Sequence, residues 1–188
     1  MSFGTGLDSF HLERLKFIFP YVTGRILDVG SGDGLITSAL RAKGHDVVSI
    51  DPFNSVSDYP VSLKTATLLG GVFNHPFDTI ILSEVIEHGG IDMIKESLSF
   101  LKKGGRIIVT APQKNILSYA FYIIMGEEIF QKIPYGTHNY ESFIRLNDLK
   151  NYLFDCGIKI MDICGFNPIK RSLCHSTLYH YLIYGIFY

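Results

Sequence analysis

The stretch Arg25-Ile26-Leu27-Asp28-Val29-Gly30-Ser31-Gly32-Asp33-Gly34-Leu35 constrains the fold of this chain more than any other. Ile26, Leu27 and Val29 form a short apolar run of the kind a buried parallel strand shows, and it stops in three glycines spaced every second residue. Glycine at such a stop supplies torsion angles that a Cβ forbids, and it lets a ligand approach bare backbone. Residues 35–41 then read as a helix whose first free N–H groups point back over the turn. A strand, a glycine turn and a helix in this order open an α/β fold with a small molecule bound above the turn.

The charge beside the glycines narrows what that molecule is. The spacing is G-x-G-x-G rather than the dinucleotide pattern G-x-G-x-x-G, and Asp28 precedes it. An acid here sits badly beside a pyrophosphate and well beside an ammonium or sulfonium, so a cationic cofactor is expected. Leu27-Asp28-Val29-Gly30-Ser31-Gly32-Asp33-Gly34 resembles motif I of the class I S-adenosylmethionine-dependent methyltransferases. That resemblance implies a Rossmann-like fold and S-adenosyl-L-methionine as the cofactor.

The remaining patterns fit one α/β domain covering 1–188, with a mostly parallel sheet and an antiparallel C-terminal edge strand. Phe10, Leu12, Leu15, Ile18 and Phe19 are helically spaced over 9–19 and stopped by Pro20, which predicts an amphipathic helix lying on the sheet. Read from the residues alone, Arg14 in this helix is a solvated charge. Residues 46–51 read as the second strand, with Asp51 at its carboxyl end, about twenty residues beyond the turn, where an acid accepts ribose hydroxyls. The segment 52–76 is short, and its apolar part, 61–69, fits a strand or a helix equally. Residues 77–83 predict a buried strand, 91–101 a helix and 106–110 the next strand, with Lys102-Lys103-Gly104-Gly105 as a helix stop. After an excursion over 111–140, residues 147–154 read as a helix closed by Cys156-Gly157. Strands at 158–164 and 177–188 are expected to pair antiparallel at the sheet edge.

Composition excludes several function classes. Seventeen basic and eighteen acidic residues are scattered along the chain, so no nucleic-acid footprint is present. Cys156, Cys164 and Cys174 lack C-x-x-C spacing, which argues against a disulfide framework or a thiolate zinc site and fits a reducing compartment. The first residues carry no secretory signal pattern, and the longest apolar runs are too short to span a bilayer. A cytoplasmic protein, at most peripheral to a membrane, is expected.

A second cluster carries chemistry. Glu84, Glu87 and His88 stand at i, i+3 and i+4, which on a helix would aim two carboxylates and an imidazole from one face beside the cofactor. Such acids repel unless a cation or a proton intervenes. Oxygen-rich ligation suits Mg²⁺, and the single nitrogen keeps Zn²⁺ and Mn²⁺ open. Alternatively His88 is a general base, or Glu84 contacts only the cofactor.

Glu84-Val85-Ile86-Glu87-His88 resembles the E-x-x-E-H motif of the ubiquinone-biosynthesis O-methyltransferases. Pro134-Tyr135-Gly136-Thr137-His138-Asn139-Tyr140 with Phe143-Ile144 is similar to that family's P-x-G-T-H block, and Gly165-Phe166-Asn167-Pro168 to its aromatic-Asn-Pro. The resemblance implies methylation of a catechol-type hydroxyl on a polyprenylated ring. It places Arg14, Asp28, Gly30, Gly32, Asp51 and Ser83 at the cofactor and Mg²⁺ on Glu84, Glu87 and His88. It also implies that the apolar insertion within 114–140, including 116–130, forms a lid or meets the membrane that holds the greasy substrate, and it leaves His138 to substrate contact or structure. Ser83 replaces a bulkier family residue, and 52–77 is shorter than the family's segment, which bears on how the adenine is covered. A metal-independent methyltransferase and a degenerate binding module are the rival expectations.

Overall fold

The computed structural model describes residues 6–69, 71–119 and 140–188. Its centre is a seven-stranded sheet in the order β2-β1-β3-β4-β7-β5-β6. The strands are β1 (Arg25–Val29), β2 (Asp46–Ile50), β3 (Phe77–Ser83), β4 (Leu101–Pro112), β5 (Ile158–Asn167), β6 (Ser172–Cys174) and β7 (His180–Phe187). The helices are α1 (Gly6–Ile18), α2 (Leu35–Ala42), α3 (Leu63–Leu69), α4 (Ile86–Gly89), α5 (Asp92–Leu98), α6 (Ile116–Tyr119) and α7 (Leu146–Asp155). β2, β1, β3 and β4 run parallel, whereas β7 is antiparallel to both β4 and β5.

Strand side chains alternate between two apolar layers because a pleated backbone turns successive residues to opposite faces. Leu27, Val29, Ile80, Leu82, Ile107, Val109, Tyr181 and Ile183 join the face shared with α3, α5 and α7 residues such as Leu63, Ile94 and Leu149. Ile26, Ile81, Ile108, Leu182 and Tyr184 face the other way, against Phe17 and Ile18 of α1 and Ile36 and Leu40 of α2. Burial on both faces explains why β1 and β3 read as continuous apolar runs.

Three local expectations differ from the structure. Leu101 opens β4 rather than closing a helix, and Lys102-Lys103-Gly104-Gly105 belongs to that strand. Phe77 pairs with Leu101 but Thr79 with Arg106, so the extra residues bulge out, with Gly104 at φ 75°. Lys102 is held there by Asp78 at 2.7 Å, a contact the helix-stop reading cannot foresee. The antiparallel pairing of β5 and β7 is as expected, yet the edge is β6, and β7 lies inside the sheet.

The ambiguous 61–69 segment holds α3, and among the described residues of 52–76 no further named strand forms. β2 is therefore the other edge. The chain after it folds back, with an isolated bridge between Ile50 and Tyr59. Asp58 Oδ2 accepts hydrogen bonds from Ser49 N at 2.8 Å and Ser49 Oγ at 3.0 Å, so this return segment covers part of the edge.

Candidate active site

The carboxyl ends of β1, β2 and β3 meet at the point where chain direction across the sheet reverses, the crevice in which open α/β sheets bind ligands. Gly30 lies at φ 69°, and a Cβ on it would stand 2.3 Å from Val85 Cγ2. The turn after β1 is thus in direct contact with the loop after β3. Gly32 lies at φ 53°, and a Cβ there would meet nothing within 4 Å. One side of the turn is open backbone.

Asp51 adjoins that opening. Its Oδ2 accepts a hydrogen bond from Gly32 N at 2.9 Å, and its Oδ1 accepts one from Phe53 N at 2.8 Å. Each carboxylate oxygen keeps acceptor capacity, so the residue is fixed in orientation while still able to receive hydroxyls. Phe53 is 97% exposed beside it. The structure therefore joins Gly30, Gly32 and Asp51, and an open cradle beside an oriented acid fits the sugar of a nucleoside.

Asp28, expected at the cofactor, is turned towards α2. It is buried, and its Oδ2 accepts a hydrogen bond from Thr37 Oγ1 at 2.6 Å, tying β1 to α2. Burial pushes its carboxyl up to about 6, against the opposing pull of the Thr37 hydrogen bonds and the Arg14 and Arg41 charges. The unfolded chain releases this proton near the ordinary value of 3.8, and the folded chain holds it to about 6. The stability tied to that proton is complete below the lower value and is lost as pH climbs through the upper one, a swing on the order of 3 kcal/mol at most. Asp28→Asn keeps an acceptor for Thr37 and removes the titration. Its melting temperature should exceed that of the wild type at pH 7.5, with the gap closing towards pH 4.

The Glu84, Glu87 and His88 cluster is not the helical face its spacing suggested. α4 begins only at Ile86, and Glu84 lies outside it at φ 56°, with its backbone N–H donated to Thr110 O at 3.0 Å. Glu87 is 3% exposed, and neither of its carboxyl oxygens has a hydrogen-bond partner. His88 is exposed. Among the described residues no three His, Cys, Asp or Glu side chains group as a metal site. The physical reason is local: the chain leaves the strand through a left-handed residue before α4 starts, so the three side chains do not share one helix face. The two glutamates still fit a cation. Burial raises the Glu87 carboxyl well above its ordinary value, and the Glu84 charge raises it further. Two carboxyls of which one raises the other, with both Glu87 oxygens unsatisfied, suit a proton or a hard divalent ion that takes one or two carboxylates and keeps its waters.

Behind Glu84 runs a buried polar chain that sequence reasoning missed in part. Arg14 Nη1 donates to Ser83 Oγ at 3.0 Å, and Ser83 Oγ lies 2.8 Å from Thr110 Oγ1. Thr110 Oγ1 donates to Glu84 Oε1 at 2.6 Å, and His180 Nε2 contacts the same oxygen at 2.7 Å. Ser83 pairs with Thr110 across β3 and β4, and His180 with Pro112 across β4 and β7, which brings these side chains to one face. Arg14, read from the residues as a solvated charge, is 6% exposed and belongs to this chain. Its guanidinium also contacts His11 Nδ1 and lies 4.9 Å from the centre of the Phe10 ring. Burial opposes ionisation of Glu84, but the His180 charge and hydrogen bond, the Arg14 charge and the Thr110 hydrogen bond outweigh it and draw the carboxyl down to about 2.

Of the other motif residues, Phe143 and Phe166 are core residues. Asn167 Oδ1 accepts from Ile169 N at 2.9 Å and Lys170 N at 3.0 Å, which makes the aromatic-Asn-Pro motif the turn into β6. His138 and most of the G-T-H block lie outside the described residues, as does 120–130 of the apolar insertion. The described start of that insertion exposes Ile116 (79%) and Leu117 (44%). Among the described residues no helix is long and apolar enough to cross a membrane.

Comparison with known proteins gives the family and the fold. A family described as a methyltransferase domain matches residues 7–162. The ubiquinone biosynthesis O-methyltransferase of Coxiella burnetii is 30% identical over 177 residues, covering 85% of this chain and 76% of its own length. The mitochondrial ubiquinone biosynthesis O-methyltransferases of Mus musculus and Homo sapiens are 34% and 32% identical over 165 and 189 residues, which cover 78% and 89% of this chain. The chain spans only about half of those two relatives, 45% and 51% of their lengths. A SAM-dependent methyltransferase structure from Archaeoglobus fulgidus superimposes with TM-score 0.64 at 17% identity, covering 97% of this chain and 95% of that one. A possible histamine N-methyltransferase from Thermotoga maritima gives TM-score 0.66 at 16% identity, covering 96% and 90%, so the two structures share the fold. The glycine turn, the parallel half-sheet and the E-x-x-E-H sequence thus converge with these similarities: the chain belongs to the methyltransferase-domain family, among the ubiquinone biosynthesis O-methyltransferases.

Proposed function

We propose that this protein transfers a methyl group from S-adenosyl-L-methionine to a phenolic or catechol hydroxyl on a small polyprenylated ring, as part of ubiquinone-type biosynthesis. One observation carries the reading: the glycine turn is open backbone at Gly32, beside oriented Asp51, and at Gly30 it meets Val85, in the segment between Glu84 and the helix that bears Glu87. When bound, the cofactor supplies an electrophilic methyl group on a sulfonium. Gly30 and Gly32 admit it to the backbone, Asp51 receives the ribose hydroxyls, and Arg14 and Ser83 lie at the end of β3 that borders the same crevice.

A phenol holds its proton to about pH 10, so the acceptor oxygen needs negative charge stabilised or a proton taken. Glu84, ionised and about a quarter exposed, accepts that hydroxyl and orients it towards the methyl. Glu84 and Glu87 would hold Mg²⁺, which supplies Lewis-acid stabilisation of a phenolate there. Positioning supplies most of the acceleration. Exposed Ile116 and Leu117 support a peripheral contact, through 116–130, with the cytoplasmic face of the membrane that carries the lipid-like substrate.

Purified protein with S-adenosyl-L-methionine and a short-chain catechol should form S-adenosylhomocysteine and the methyl ether. EDTA should suppress turnover and Mg²⁺ restore it. Turnover unchanged by EDTA would favour the metal-independent reaction. Calorimetry showing no cofactor binding would favour a binding module instead.

A further inference from the structure

The polar chain behind Glu84 ends in a residue that the reaction as drawn does not use. His180 is fully buried, so it touches neither solvent nor an incoming substrate. It sits at the start of β7, which is held on both sides by β4 and β5, and the Phe10 ring meets its imidazole edge-on at 4.9 Å. Glu84 Oε1 and His180 Nε2 lie 2.7 Å apart, and the imidazole tautomer with its hydrogen on Nε2 donates to that oxygen.

The acid it meets needs holding. Glu84 adopts φ 56°, a backbone conformation that residues with a Cβ rarely take and keep only where their surroundings impose it. Thr110 Oγ1, at 2.6 Å, and His180 Nε2 both donate to the same oxygen, Oε1. Two donors occupy the two lone pairs of Oε1 and leave Oε2 as the oxygen able to face the crevice.

We propose that His180 is a positioning residue: with Thr110 it pins Oε1 of Glu84, holds the residue in its left-handed conformation and presents Oε2 to the reacting hydroxyl. This rests on the methyl-transfer reading for its kinetic consequence but not for its structural one. His180 acts through Glu84, much as outer residues orient the groups that bind a ligand or metal directly.

The test compares crystal structures and kinetics of the wild type, His180→Leu, His180→Gln and Thr110→Val. His180→Leu should move the Glu84 carboxylate out of its place. It should also lower kcat about tenfold or more with little change in the KM for S-adenosyl-L-methionine, the range seen when outer-shell partners are removed. His180→Gln, which can still donate towards Oε1, should recover most of both readouts, and Thr110→Val should displace Glu84 in the same way. A leucine variant whose Glu84 stays in place, or whose kcat is unchanged while its melting temperature falls, overturns the proposal, because His180 would then be core packing only. If the leucine variant does not fold, Thr110→Val and His180→Gln decide it by the same criteria. A wild type that transfers no methyl group defeats the functional reading alone, and the position of Glu84 in the variant crystals then decides the role of His180.

Discussion

Glu84→Gln should reduce methyl transfer by roughly two to three orders of magnitude while leaving cofactor affinity nearly unchanged, the scale typical when one charge-stabilising group is removed from a reaction centre. The amide keeps the size of the side chain and can still accept from Thr110 and His180, so the fold around it should persist. It loses the negative charge that the proposed function assigns to holding a cation or the acceptor hydroxyl. Glu87→Gln should separate the two uses of the pair. If a divalent ion sits between the carboxyls, this variant loses nearly as much activity as Glu84→Gln and its turnover no longer responds to added Mg²⁺. If Glu87 carries a proton throughout, it is almost silent, since an amide replaces an already neutral group whose oxygens have no partner to lose. Single-turnover methyl transfer alongside calorimetric titration of S-adenosylhomocysteine reads both outcomes.

Gly32→Val should abolish cofactor binding, by about a hundredfold or more in Kd, in a protein that still folds. A Cβ at Gly32 meets nothing within 4 Å, so the expected cost to the fold is chiefly that of placing a side chain at φ 53°, roughly 1–2 kcal/mol. The same side chain fills the open face where a nucleoside would lie. Gly30→Ala is the contrasting case. Its new methyl would stand 2.3 Å from Val85 Cγ2, so the variant should lose stability first, through the contact between the β1 turn and the loop after β3. Thermal melts with and without S-adenosylhomocysteine distinguish them. Gly32→Val should melt near the wild type and gain nothing from ligand, and Gly30→Ala should melt lower in both conditions. A ligand-dependent shift in Gly32→Val as large as that of the wild type would place the nucleoside elsewhere.

The proposed membrane contact begins at α6. Ile116 and Leu117 are exposed, and they mark the start of the apolar insertion. Sedimentation with anionic liposomes, comparing the wild type with a variant bearing Ile116→Ser and Leu117→Ser, should show weaker association of the variant. Equal association would remove these two side chains from the surface that meets lipid.

Much of this was legible in the order of residues because the signals are local. β1 and β3 could be read because both faces of a parallel strand are covered, which leaves an unbroken apolar run. The turn at Gly30 to Gly34 could be read because its backbone angles exclude side chains, and Asp51 because a strand of five residues delivers it to the same end of the sheet. The family similarity was legible for a related reason: motifs that bind a cofactor are short and contiguous. The segment 102–105 was misread because cationic residues followed by glycine suit a helix end and a strand bulge alike, and only the pairing of Thr79 with Arg106 separates the two.

What the sequence determined by itself was the order of β1 to β5 and β7 with the helices α1, α2, α5 and α7, together with the parallel half-sheet, all consequences of periodicity and backbone sterics over a few neighbouring residues. Tertiary structure alone decided how the charged groups are used. It turned Asp28 inward to Thr37, left His88 outside, buried Arg14 and brought His180 to Glu84 across ninety-six positions of sequence. No local pattern encodes those outcomes, because the cost or gain of burying a charge depends on partners that only the completed sheet places within hydrogen-bonding distance.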